Sequence, residues 1–186
     1  MVYLPALWLP ILLSAVIVFI ASSVIHMVLP IHKSDYRKLP DEEKVMDALR
    51  SACVTPGPAY HFPHCTHQDM KSPEMTEKFK KGPVGLLTMF PSGPPAMGKY
   101  LGLWFVYCLI VGVFTAYLTG RTVAPGTVYL AVFRVAGTVA FMAYGLGQFI
   151  DSVWKGQAWG VTLKHMFDGL IYALLTAGTF GWLWPR

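Results

Sequence analysis

Charge is scarce in this chain: 13% of its 186 residues are Asp, Glu, Lys or Arg, about half the share of an ordinary soluble domain. That excludes a conventional water-exposed fold. Cysteine is scarce too. Cys53, Cys65 and Cys108 make no disulfide framework and no zinc-finger or ribbon spacing, and the CxxCH of haem attachment is missing. No basic run exceeds three residues, which argues against a nucleic-acid partner. The GxSxG elbow, HExxH, the P-loop and a strand-to-helix GxGxxG are all absent, so no catalytic signature is present. Gly145-Leu146-Gly147 falls inside an apolar run and reads as a packing contact.

What the chain has in quantity is hydrophobic residues, 54% of the total with 14% aromatics and a mean hydropathy of +0.47. They gather into runs over about 4–29, 100–119, 127–150 and 161–184. Crossing a bilayer takes about 20 largely apolar residues in a helix. The expected fold is an all-α integral membrane protein, a four-transmembrane-helix bundle forming a single membrane domain. The first run lacks the basic start of a secretory signal and outlasts its apolar core, so it reads as an uncleaved span with Pro5 and Pro10 in its first turns.

Nearly all the charge lies in one long polar loop, 31–98, expected to carry short surface helices. Asp41-Glu42-Glu43 opens an amphipathic helix that ends near Cys53, and Ser72-Pro73-Glu74 opens another that ends near Lys81. Prolines impose extended chain over 56–63. Val84 to Met97 is apolar but broken by Gly and Pro, which predicts an interfacial or re-entrant segment. Lys33, Arg37, Lys38, Lys78, Lys80, Lys81, Lys99, Lys155 and Lys164 all fall on one side of such a bundle. The positive-inside rule then makes the loop cytoplasmic and both termini external, in a cell (inner) membrane.

Two stripes of small residues recur every fourth position: Gly112, Ala116 and Gly120 after Cys108 in the second run, and Gly169, Ala173, Ala177 and Gly181 in the fourth. Such stripes let helices approach closely in lipid, and they serve equally for contacts within the chain or with a partner.

Ionisable groups at membrane depth raise a functional question wherever they occur. His26, Gln148, Asp151, Lys164, His165 and Asp168 are expected at similar depth near the loop side, with Lys164 and Asp168 paired one helical turn apart. Arg134 enters from the opposite side. A solvated helix-end network is the plain account of the cluster. Its functional alternatives are a site for a quinone, headgroup or proton formed by His26, His165 and Asp168, or one haem ligated by His26 and His165. In the loop, His61, His64 and His67 beside Cys65 supply a donor count that suits zinc or copper, against the plain alternative of a solvated, proline-stiffened loop. The expected role is a non-catalytic accessory or scaffolding subunit, with the lipid bilayer and other membrane subunits or a second copy as partners. A small electron-transfer subunit and an oligomeric transporter or channel are the alternatives.

Overall fold

The computed structural model describes every residue, Met1–Arg186. Two compact units emerge, one from Met1–Tyr36 with Ala96–Arg186 and the other from Arg37–Pro95.

The first unit is helical. Leu4–Leu7 forms a 3-10 turn with Pro5 at its start, leading into α1 (Trp8–Ser23). The helix then widens into a π turn, Val24–Val28, closed by the Leu29 amide on the Val24 carbonyl at 3.1 Å. Pro30, lacking an N–H, ends it, and a 3-10 turn follows over Pro30–His32. After the second unit come α4 (Met97–Thr122), α5 (Tyr129–Tyr144), a 3-10 turn (Leu146–Gln148), α6 (Phe149–Trp154) and α7 (Trp159–Trp182). Leu4–Val28, Met97–Thr122 and Tyr129–Trp154 are long and apolar enough to cross a membrane. α7 matches them in length, but Lys164, His165 and Asp168 dilute the hydropathy of its first half.

Among these helices, α1 packs on α4 and α7, and α5 packs on α4 and α7. Both small-residue stripes are used inside the chain. A Cβ on Gly112 would sit 3.3 Å from Ile11, and one on Gly120 would strike the Val2 carbonyl, so the α4 stripe receives the N-terminal segment and α1. A Cβ on Gly169 would lie 2.6 Å from the Cα of Gly145, Ala177 already approaches Gly137, and Gly181 lies under the Tyr129 ring. The α7 stripe therefore receives α5, with Ala116, Ala173 and Ala177 buried between helices. The expected continuous helix over 127–150 is instead interrupted after Tyr144, where α7 crosses closest to Gly145.

The helix ends are tied together. At one end the Val2 amide donates to the Gly120 carbonyl at 2.8 Å, and the Trp184 indole donates to the Ala124 carbonyl at 2.9 Å. At the other end the Trp104 indole donates to Ser22 Oγ at 2.8 Å. Outward faces are mostly apolar, with Ile20, Ile110, Phe114, Leu130, Met142 and Leu174 exposed, although Arg134 also faces outward from α5.

The second unit holds α2 (Glu42–Ser51), α3 (Pro73–Lys81) and an antiparallel pair, β1 (Ala59–Phe62) with β2 (Gly85–Thr88). Both expected helices are present. Ser72 caps α3, its Oγ accepting from the Met75 amide at 3.1 Å. Asp41 precedes α2 in a left-handed conformation without a capping bond. Within the segment from Val84 expected to be interfacial or re-entrant, four residues form a strand whose Gly85 leaves room for the ring of Phe62 opposite.

Candidate metal centre

The histidine end of the helical unit is assembled from three pieces of chain. The π turn presents His26, the turn after Pro30 returns His32 beside it, and α7 supplies Lys164, His165 and Asp168. A π turn adds a residue to the helical circuit and re-aims side chains, which is why such turns recur at functional sites.

Lys164 fastens the returning segment. Its ammonium donates to the Ile31 carbonyl at 2.9 Å, Ser34 Oγ at 3.0 Å and Asp35 Oδ1 at 2.6 Å, which accounts for all three of its protons. The expected Lys164–Asp168 pair is therefore not formed. Lys164 reaches across the fold to Asp35, whose carboxylate is buried beside it and whose charge it balances. The Lys164 hydrogen bond, helped by one from His32, holds the Asp35 carboxyl below the ordinary carboxylate range against the opposing cost of burial.

Asp35 Oδ2 lies 2.6 Å from His32 Nδ1. With the carboxylate ionised, Nδ1 is the donor, and in a neutral ring Nε2 is left with its lone pair. That nitrogen faces Asp168 Oδ2 at 3.0 Å. Both atoms are buried, yet they do not meet in a hydrogen bond, and neither has another partner. A buried carboxylate oxygen without a partner is expensive. His26 Nε2 and His165 Nδ1 each stand 3.9 Å from the same oxygen. The three rings cluster, with centroids 4.3 Å apart for His26 and His32, which are tilted by 32°, and 5.2 Å for His32 and His165 and 6.1 Å for His26 and His165, which stack.

Two donor groupings share His32: His26, His32 and Asp168, and His32, Asp35 and His165. Hydrogen bonding separates them. In the second, Asp35 is already bonded to His32 and Lys164, so it supports the ring. In the first, the close pair has no such satisfaction. Two donors each about 2.1 Å from one ion stand about 3.0 Å apart at a right angle and about 3.4 Å at a tetrahedral one. The His32–Asp168 separation falls in the range for ligands of one cation.

His26, His165 and Asp168, named from sequence, thus come together. His32 and Asp35 were missed, because they follow the apolar run and looked like the start of a solvated loop. The available signal was the His-x-x-Asp spacing directly after the helix-ending Pro30. The ring centroids of His26 and His165 lie 6.1 Å apart, with the His32 ring beside both. Gln148 makes no side-chain hydrogen bond to the cluster, and Asp151 pairs with Lys155 at 2.6 Å. Arg134 is exposed and forms no ion pair. In the second unit His61, His64 and His67 are exposed and do not converge as a donor group. Comparison with protein-family models, curated proteins and solved structures gives no match.

Proposed function

We propose that the chain is an integral membrane protein that holds a divalent transition-metal ion at the membrane boundary from which residues 37–95 depart. His26 Nε2, His32 Nε2 and Asp168 Oδ2 are the donors. His165 stacks behind them, and Asp35 and Lys164 set the tautomer and orientation of His32, the role a carboxylate plays behind a metal-bound imidazole. The observation that carries this reading is the close, buried approach of His32 Nε2 and Asp168 Oδ2 without a hydrogen bond. A donor set of two imidazoles and one carboxylate favours zinc, iron, nickel or copper over magnesium or calcium.

Four membrane crossings, by Leu4–Val28, α4, the α5–α6 run and α7, are part of the same proposal. The apolar outward faces support it, as does the tying of the polar groups of α7 to the end of α1 and the segment after it. The distribution of lysines favours a cytoplasmic centre with both termini outside. The rival role as an accessory subunit drew on the small-residue stripes and the polar loop as surfaces for partners. Both stripes are spent on contacts within the chain, which leaves that role with less support.

Metal content is the test. The full chain, purified in a mild non-ionic detergent and loaded with zinc or cobalt, is expected to retain one ion after desalting. His32→Ala and Asp168→Asn should lose it, while a variant with His61, His64 and His67 all replaced by Ala should keep it. Equal retention by all four proteins would sink the proposal.

A further inference from the structure

A slot of about 260 Å³ opens beside the centre, between the end of α1 and the start of α4, and is lined by Ser22, Ser23, His26, Met27, Met97, Leu101 and Trp104. Its walls are almost wholly apolar. Its two serine hydroxyls are already committed: both donate to the Phe19 carbonyl, at 2.9 and 2.8 Å, and Ser22 Oγ also accepts from the Trp104 indole. The polar group left to meet an occupant is His26. Its side chain is 40% exposed, against 10% for His32 and 4% for Asp168, so the donor that lines the slot is also the most open of the three.

Charge narrows the occupant. A divalent ion with Asp168, Asp35 and Lys164 leaves one net positive charge when the imidazoles are neutral. Three protein donors also leave at least one coordination position for an outside ligand, as catalytic zinc sites do. A cation facing an apolar slot is costly unless an anion meets it. The occupant is therefore an apolar body ending in one small anionic oxygen donor. A planar carboxylate on a single chain suits the volume better than a tetrahedral phosphodiester carrying glycerol and a headgroup.

We propose that the slot admits a long-chain fatty acid from the apolar phase and delivers its carboxylate to the metal beside His26. This rests on the metal-centre reading above. The head binds as a carboxylate, and no covalent bond is made or broken.

Visible absorption of the cobalt(II)-loaded full chain in non-ionic detergent tests it. Laurate should shift the cobalt bands, with half-saturation at least about tenfold below that of acetate, because its chain concentrates the head in the apolar phase. Dodecanol, which has no anionic head, should leave the bands unchanged. Leu101→Trp, which fills the slot, should keep the bands of the parent protein and lose the response to laurate. Four results overturn the proposal while leaving the metal centre standing: bands indifferent to laurate, acetate acting as strongly as laurate, an undiminished response in Leu101→Trp, or a response to phosphatidylglycerol vesicles in place of laurate. Absence of cobalt bands in the parent protein overturns both.

Discussion

Replacing Asp168 by Asn separates a ligand from a structural partner by the sign of its effect. The side chain keeps its shape and loses its charge. Without metal, Asp168 Oδ2 is a buried carboxylate oxygen facing His32 Nε2 with no hydrogen-bond partner. Relieving an unsatisfied buried group is worth about 1–3 kcal/mol, so the metal-free Asn variant should be more stable than the parent by about that amount. With metal the order should reverse. An ion at about 1,000 times its Kd stabilises the parent by about 4.1 kcal/mol, and a variant without the anionic donor forfeits most of that. Thermal unfolding in the same detergent, with a chelator and with saturating zinc, reads both arms. The parent curve should move up on adding zinc and the variant curve should stay, with the two crossing between conditions. If Asn lowers stability equally in both conditions, Asp168 is the partner of a charged His32 and the metal reasoning fails.

Other perturbations reach the parts around the centre. Asp35→Asn removes the carboxylate that orients His32, and zinc affinity measured by competition with a chromophoric chelator should fall about 10- to 100-fold. Lys164→Met releases three hydrogen bonds from residues 31–35; amide exchange over that segment should quicken, while exchange in α5 stays unchanged. Gly169→Ala brings a Cβ to 2.6 Å from the Gly145 Cα, whereas Gly178→Ala meets only ordinary contact at 3.5 Å. The first should cost about 1–3 kcal/mol in unfolding experiments and the second well under 1 kcal/mol.

The long helices were legible because long apolar runs leave a chain few choices, and the ends of α4 and α7 fall within three residues of expectation. The break after Tyr144 was hidden, because it answers to the approach of Gly169 from a distant helix and not to local propensity. The β1–β2 pair was hidden for a similar reason: Ala59–Phe62 is short, and its partner lies beyond an intervening helix. The stripes announced close packing but not where it would occur. In the site, His26, His165 and Asp168 stood out as ionisable groups in apolar surroundings. His32 and Asp35 carried no such contrast, since they follow Pro30 among polar neighbours. Only the reach of Lys164 from α7 draws them back to the helix ends, and a contact across 129 positions leaves no local trace.

X-ray absorption at the metal edge of zinc-loaded protein tests the central claim most directly. The predicted spectrum has nitrogen and oxygen neighbours at about 2.0–2.1 Å, with outer-shell scattering from two imidazoles, and His32→Ala, which should not retain the ion, gives no such spectrum. A first shell containing sulfur, or imidazole scattering that survives in His32→Ala and disappears when His61, His64 and His67 are replaced, would place the ion elsewhere and contradict the claim.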